Sequence, residues 1–476
     1  MFLWIIVLGG VFSFFASMGI GANDAANAFA SSIGSKSLTI KQAVVLACIF
    51  ESSGAILMGS HVVNTVRKGI ADYECFIDEP YVFMYGCMWV CLSVGIWLFL
   101  ASKYEMPVST THSCIGGMIG MVFALKGPQC VIWYKPTDSF PFIGGVSGIV
   151  LSWIISPLFS CMFSSIMFSL LRGLYLRQSK SFEKSVFVFP IIVGLTVTLN
   201  VFYIVFKGAK GIDLDETPLD IACYWSFGLG ILCALLSIKP ILHYQKYILK
   251  NNQTQQETEL SEPENSITDT QLETLENDIV KNDQVVTEIH ENAEVFDKKT
   301  EELFKGLQVF TAAADSFSHG ANDVANSIGP FAAMYMIYRD KEIKESNDLD
   351  SNAFWILAMG GIGISIGLAA YGYKIINALG VKICKITPSR GICIELASAL
   401  VIITGSRLEI PLSTTHCQVG ATVGVALLED YKNFTGVNKK IIVKTLLGWV
   451  LTLVIVSITC GILVSQGAYA PETSGF

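Results

Sequence analysis

GANDAAN (Gly21–Asn27) and its near-copy GANDVAN (Gly320–Asn326) decide how the rest of the chain is read. Each sets Asn, Asp and Asn inside a run that is otherwise apolar enough to lie in a membrane. An Asp in hydrocarbon costs about 3 kcal/mol or more on insertion scales, so it marks a functional site by default. Each motif has a later companion, PVSTTH (Pro107–His112) and PLSTTH (Pro411–His416). Gly21 precedes Pro107 by 86 residues and Gly320 precedes Pro411 by 91, a near-equality that points to duplication of both motifs together.

The 476 residues are 52% hydrophobic and 15% charged, with a mean hydropathy of +0.53. Soluble domains carry about 25% charged residues. Apolar runs at 2–33, 38–58, 82–102, 107–125, 144–171, 186–206, 219–238, 307–333, 353–372, 388–405, 411–428 and 441–465 predict about twelve spans. The runs at 388–405 and 411–428 are short and rich in Ser, Thr and Gly, so a re-entrant hairpin or broken helices fit them as well. The first run has no basic leader or cleavage site and is read as a retained span. The net charge of −8 belongs to one polar stretch: residues 251–303 hold 15 acidic residues and 3 Lys, leaving +4 for the remainder. No basic footprint for nucleic acid is present. Most of the 13 cysteines fall in apolar runs, where Cys acts as a small hydrophobe. Cys75 and Cys130 both fall in outer loops; a disulfide and two free thiols are both open.

Lys and Arg in short loops set orientation. Arg172, Arg177, Lys180 and Lys184, then Lys239, Lys246 and Lys250, then Lys374, Lys382 and Lys385, then Lys439 and Lys440 all fall on one side of a twelve-span arrangement. That side is taken as cytoplasmic, with both termini extracellular; Arg67 and Lys68 are a counter-signal. Residues 241–305 are acidic and nearly free of aromatics, and are expected to form a disordered cytoplasmic loop between transmembrane regions 1–240 and 306–476.

Seven spans separate the two GAND starts, and seven is odd, so the second copy crosses the membrane in the opposite sense. Two like units of opposite topology are the mark of an inverted-repeat transporter, with its site near the midplane at the repeat interface. The expected fold is an all-α polytopic membrane protein of two inverted-topology repeats with broken helices at the motifs. Asp24 and Asp323 supply charge, and Asn23, Asn27, Asn322 and Asn326 supply neutral oxygens. Such a ligand set suits a monovalent cation such as Na⁺. Pro107 and Pro411 followed by three hydroxyls read as helix starts. Ser109, Thr110, Thr111, Ser413, Thr414 and Thr415 would present donors, with exposed N–H groups, to an anion. Ordinary helix capping is the plainer reading of either copy alone. Two further intramembrane carboxylates, Glu51 and Glu395, do not correspond under the repeat and are read as coupling or gating candidates; Glu51 has Arg67 or Lys68 as possible partners. His112 and His416 sense pH or orient their neighbours. His319 has no counterpart in the first copy and is read as outside the shared machinery. No nucleophile–base pair or metal triad appears, so no enzyme is predicted.

The stretches GANDAANAFASSIG, FESSG with TVRKGI, MPVSTTHSCIGG, SHGANDVANSIGP, GICIELASAL and IPLSTTHCQVG resemble the inorganic phosphate transporter family, solute carrier family 20. They cover both ends of the chain and leave 241–305 unmatched. The resemblance implies sodium-driven symport of inorganic phosphate, twelve spans, a homodimer in the lipid bilayer of the plasma membrane, and importance of Asp24, Glu51, Ser109, Asp323, Glu395 and Ser413. Asp24 and Asp323 are then placed with the six hydroxyl residues around phosphate. No cofactor is expected; sodium is a co-transported substrate. A proton-coupled phosphate or sulfate symporter on the same scaffold is the first alternative, and an anion channel the second.

Overall fold

A computed structural model describes residues 2–137, 142–206, 214, 217–258, 283–343, 354–408, 410, 412–430 and 435–469. Pro411 and the acidic stretch 259–282 lie outside the described residues, as do the side chains of Arg67 and Lys68. The first half runs through α1 (Leu3–Ile20), a π-helical turn (Gly21–Ala25), α2 (Ala26–Gly34), α3 (Ile40–Lys68), α4 (Pro80–Lys103) and α5 (Thr110–Leu125). A short antiparallel hairpin, β1 (Lys135–Pro136) and β2 (Ile143–Gly144), leads to α6 (Gly145–Leu171). Three linking helices follow: α7 (Ser181–Val205), α8 (Leu219–Thr258) and α9 (Gln284–Asn292). The second half runs through α10 (Lys298–Asp340), α11 (Phe354–Tyr371), α12 (Tyr373–Lys382), α13 (Pro388–Arg407), α14 (Thr414–Ala426) and α15 (Lys439–Ala468).

The protein is an all-α membrane protein: nine helices among the described residues are long and apolar enough to cross a bilayer. The expected count of twelve is not confirmed. With 16 and 13 residues, α5 and α14 measure about 24 and 20 Å at 1.5 Å per residue, short of a hydrocarbon core of about 30 Å. Helix α10 carries the polar site residues and falls outside the nine.

The expectation of broken helices at the GAND motifs is corrected. Gly21–Ala25 makes one π turn, and Gly320–Asp323 lies inside an uninterrupted α10 of 43 residues. The Asn and Asp side chains bond to other helices, so they do not compete with their own backbone ladder. A π turn in a helix is a frequent companion of a functional site. What the glycines provide is close approach. A Cβ on Gly320 would come within 2.8 Å of Glu51 Cα on α3, and one on Gly21 within 2.7 Å of Leu368 N on α11. Each motif is thus pressed against the second long helix of the opposite half.

The halves interleave again beyond the STTH motifs. Helix α5 packs on α15, where Gly116 lies so near Leu453 that a Cβ would meet its carbonyl at 2.7 Å. Helix α14 packs on α6 in the matching way, with Gly420 against Pro157 and Gly424 against Cys161. Small residues at such crossings let backbones approach in a membrane, where packing rather than hydrophobicity drives association.

The disordered loop expected over 241–305 is ordered at both ends. Helix α8 continues to Thr258, held by Gln245 Nε2, which donates to the Phe182 carbonyl at 2.7 Å. Asp283 caps α9, Asp297 caps α10, and Val286 and Ile289 are buried. These caps and buried side chains, with Phe296 buried and Glu294 bonded to Arg177, anchor a segment whose composition is otherwise polar. A disulfide joins Cys75 to Cys130, tying the α3–α4 loop to the chain after α5. Asp72 N donates to the Cys130 carbonyl at 2.9 Å beside it.

Candidate functional site

Ser109 and Ser413 cap α5 and α14. Each Oγ accepts the N–H three residues on, from His112 at 3.2 Å and from His416 at 3.3 Å. Each Ser hydrogen stays available to donate. The two starts are tied to each other reciprocally: Thr111 Oγ1 donates to the Leu412 carbonyl at 2.8 Å, and Thr415 Oγ1 lies 3.1 Å from the Val108 carbonyl. Reciprocal contacts of this kind describe a local twofold. The hydrogen of Thr111 is therefore committed to a tie.

Asp24 and Asp323 reach this centre from opposite GAND motifs. Asp24 accepts the Thr110 N–H at 3.0 Å and the Thr415 hydroxyl at 2.5 Å. Asp323 accepts the Thr414 hydroxyl at 2.6 Å and lies 3.4 Å from Thr110 Oγ1. Thr110 and the two carboxylates thus form one cluster, with exposures of 0–1%. Charge-assisted bonds from a helix start to a carboxylate are strong, and here they engage the donors of Thr110, Thr414 and Thr415.

The asparagines divide into two kinds. Asn23 braces the turn before Ser109: its Nδ2 donates to Ser102 Oγ and to the Met106 carbonyl at 3.0 Å, and its Oδ1 accepts Val108 N–H at 3.0 Å. Asn322 does the same in the other half, donating to the Leu412 carbonyl at 2.9 Å and lying 3.5 Å from Ser406 Oγ. Both side chains, expected as cation ligands, are engaged with the turns that precede Ser109 and Ser413. Asn27 Nδ2 donates to Asp24 Oδ1 and Thr415 Oγ1 at 3.2 Å, and Asn326 Nδ2 donates to Thr110 Oγ1 at 3.0 Å. The Oδ1 atoms of Asn27 and Asn326 are buried and have no hydrogen-bond partner. Unpaired buried carbonyl oxygens are uncommon, and at matching positions beside two carboxylates they suit an oxygen-ligated cation.

The suggested pairing of Glu51 with Arg67 or Lys68 falls on side chains outside the described residues; those positions lie some 16 residues, or about 24 Å, further along the same helix. Its Oε2 is 2.8 Å from His319 Nδ1, and Ser316 Oγ donates to its Oε1 at 3.2 Å. His319 Nε2 lies 3.0 Å from Asp323 Oδ2, an ion-pair distance, but off the line of a good hydrogen bond. The structure therefore brings His319 into the site as a bridge from Glu51 to Asp323, against the reading that excluded it. Its signal was the i,i+4 spacing to Asp323 on one helix face. Glu395 lies apart from the STTH motif that follows it. It accepts from Ser31 at 2.7 Å, Ser32 at 2.5 Å, Gln308 at 3.0 Å and Thr311 at 2.5 Å. Gln308, Thr311, Asp315, His319 and Asp323 recur at three- and four-residue steps along α10, a polar stripe that the sequence reading overlooked. Asp315 is 1% exposed, and its Oδ1 is without a hydrogen-bond partner. Five carboxylates buried at 0–1% exposure cannot all stay charged without cations or protons, because each uncompensated charge costs several kcal/mol.

The fold and this centre define a class: a multi-pass, all-α membrane protein whose ionic site is assembled from two duplicated motifs at a twofold, as in secondary transporters. The chain belongs to the phosphate transporter family, whose model matches residues 20–460. It is similar to the phosphate-repressible phosphate permease pho-4 of Neurospora crassa, at 28% identity over 99% of this chain and 98% of that one. It is similar at 32% identity to a putative phosphate permease of Pyrococcus abyssi, over 93% of each chain. Among solved structures it is similar to a sodium-dependent phosphate transporter, with a TM-score of 0.76 and 28% identity over 98% of this chain and 99% of that one.

Proposed function

We propose that the protein is a secondary active transporter that couples sodium entry to inorganic phosphate entry, and that it is no enzyme. The observation that carries the reading is the pairing of Asp24 and Asp323 with the two helix starts, each beside an unpartnered Asn oxygen. Na⁺ at Asp24 with Asn27, and at Asp323 with Asn326, would withdraw the carboxylates from the Thr donors. Ser109, Thr110, Ser413 and Thr414, with the first N–H groups of α5 and α14, would then hold phosphate. Without cations the two carboxylates repel the anion and compete for its donors, which gives coupling a physical basis. The similar solved transporter is sodium-dependent, which supports this choice of ion.

A proton-coupled reading is favoured by one feature, the Glu51–His319–Asp323 chain, in which an imidazole lies 2.8 Å from one buried carboxylate and 3.0 Å from the next. The disulfide between Cys75 and Cys130 suits an oxidising exterior, and the Lys- and Arg-rich ends then face the cytoplasm. We place the chain in the plasma membrane with both termini outside, residues 241–305 inside, and a homodimer as its assembly. Binding tests the ionic part directly. Phosphate should raise the thermal midpoint of the purified protein in NaCl and leave it unmoved in KCl or choline chloride. Equal protection by phosphate in all three salts would refute sodium coupling.

A further inference from the structure

His112 and His416 occupy the third position of α5 and of α14, one residue after the STT hydroxyls, and are 4% and 2% exposed. His112 Nδ1 lies 3.1 Å from the Trp449 carbonyl on α15, and His416 Nδ1 lies 3.0 Å from the Trp153 carbonyl on α6. A carbonyl only accepts, so each Nδ1 carries the hydrogen. The other faces of the rings are crossed over. His112 lies against the Trp153 ring at 3.6 Å between centroids, and His416 against the Trp449 ring at 3.5 Å. The two imidazoles meet edge to face at 4.7 Å. Each histidine therefore packs on the next helix of its own half, His416 stacked on Trp449 and His112 tilted against Trp153, and donates to the other half.

Both Nε2 atoms are buried without a partner. An Nε2–H there would find no acceptor, so each ring sits as the Nδ1–H tautomer, its second nitrogen a bare lone pair. This box of His112, His416, Trp153 and Trp449 adds a second layer of reciprocal ties behind the Thr111–Leu412 and Thr415–Val108 pair. Tryptophans 153 and 449 occupy matching places, in Trp-Ile-Ile-Ser and Trp-Val-Leu-Thr, so the box is duplicated together with the motifs it supports.

We propose that His112 and His416 are positioning residues: their crossed Nδ1–H bonds fix the separation of the two anion-binding helix starts, and so set the size of tetrahedral oxyanion they accept. This rests on the reading of those starts as the phosphate site. The donor is what matters, because a Phe ring would keep the ring contact with Trp and a Gln would place its N–H where Nε2 stands. An Asn side chain offers an N–H at the Nδ1 position.

The test compares His112→Asn, His112→Gln and His112→Phe, with the same three changes at His416, in reconstituted full-length protein. Labelled phosphate uptake gives KM and Vmax, with arsenate, the larger oxyanion, as competitor. The Asn variants should hold the phosphate KM within about twofold. The Phe and Gln variants should raise it about tenfold, the effect of one net hydrogen bond, with Vmax largely kept and the preference for phosphate over arsenate reduced. A second readout is independent of transport: hydrogen exchange at amides 110–113 and 414–417. It should quicken in the Phe and Gln variants of either histidine and stay as in the parent for Asn. Phe variants with parental KM, selectivity and exchange would overturn the proposal, as would Asn variants as impaired as Phe. If the parent protein takes up no phosphate, the function assigned above fails, and the exchange pattern still decides the positioning role.

Discussion

Replacing Asp24 by Asn removes one charge and almost no volume, which makes it the sharpest perturbation of the site. Asp24 accepts from Thr110 N at 3.0 Å, Thr415 Oγ1 at 2.5 Å and Asn27 Nδ2 at 3.2 Å. An amide can present oxygen to one side only. Whichever way it turns, its NH₂ faces an N–H, that of Thr110 or that of Asn27. One bond of the cation-free state is lost, and the larger effect is that a bound cation loses its carboxylate, an interaction with a charged group worth about 1.5–3 kcal/mol. At 1.4 kcal/mol per decade this is a roughly 10- to 150-fold rise in the Na⁺ concentration for half-maximal uptake. The assay is labelled phosphate uptake into proteoliposomes over a series of Na⁺ concentrations, normalised to reconstituted protein, with the thermal midpoint as a check on folding. A folded variant with unchanged uptake and unchanged Na⁺ half-saturation would refute the placement of the cation at Asp24.

Gly320→Ala should destabilise by about 1–3 kcal/mol and lower uptake, because the new methyl drives into the Glu51 backbone. Gly173→Ala, with nothing within 4 Å of its Cβ, should do neither; equal thermal midpoints for the two variants would contradict the packing argument. At the membrane edge, Arg177 donates to Glu294 at 2.8 and 2.9 Å and holds its carboxyl below the usual range, with Arg172 and Arg390 adding to the effect. A depressed acid stabilises above its unfolded value of about 4.3, and this is lost as pH falls through the lower folded value. The thermal midpoint of Glu294→Gln should therefore lie below the parent's at pH 7, and the gap should close in acid below about pH 4. A gap independent of pH would rule out the ion pair as its source.

The duplicated motifs were legible because their polar residues stand out against an apolar background, and because an odd number of spans between copies implies opposed halves. The same background hid Asp315, Gln308 and Thr311, whose polarity is diluted within one long helix. Their common face emerges only from three- and four-residue spacing along α10. Glu395 could not be placed from sequence. Its partners Ser31 and Ser32 lie more than 360 residues away, and nothing local marks them as its donors. His319 was set aside for lacking a counterpart, yet contact with Glu51 and Asp323 does not require symmetry. The GAND helices stay unbroken for a reason that composition does not carry. Asn23 and Asn322 found partners ahead of Ser109 and Ser413, so they had no need of their own backbone.

Concentrative uptake tests the central claim most directly. Proteoliposomes holding the protein at equal internal and external pH are given labelled phosphate outside, with an inward Na⁺ gradient in one set and a matched K⁺ gradient in the other. The account predicts accumulation of phosphate above its external concentration with Na⁺ alone, and collapse of that accumulation when the Na⁺ gradient is dissipated. Accumulation driven instead by an inward proton gradient without Na⁺, or flux that only equalises phosphate across the membrane, would contradict it.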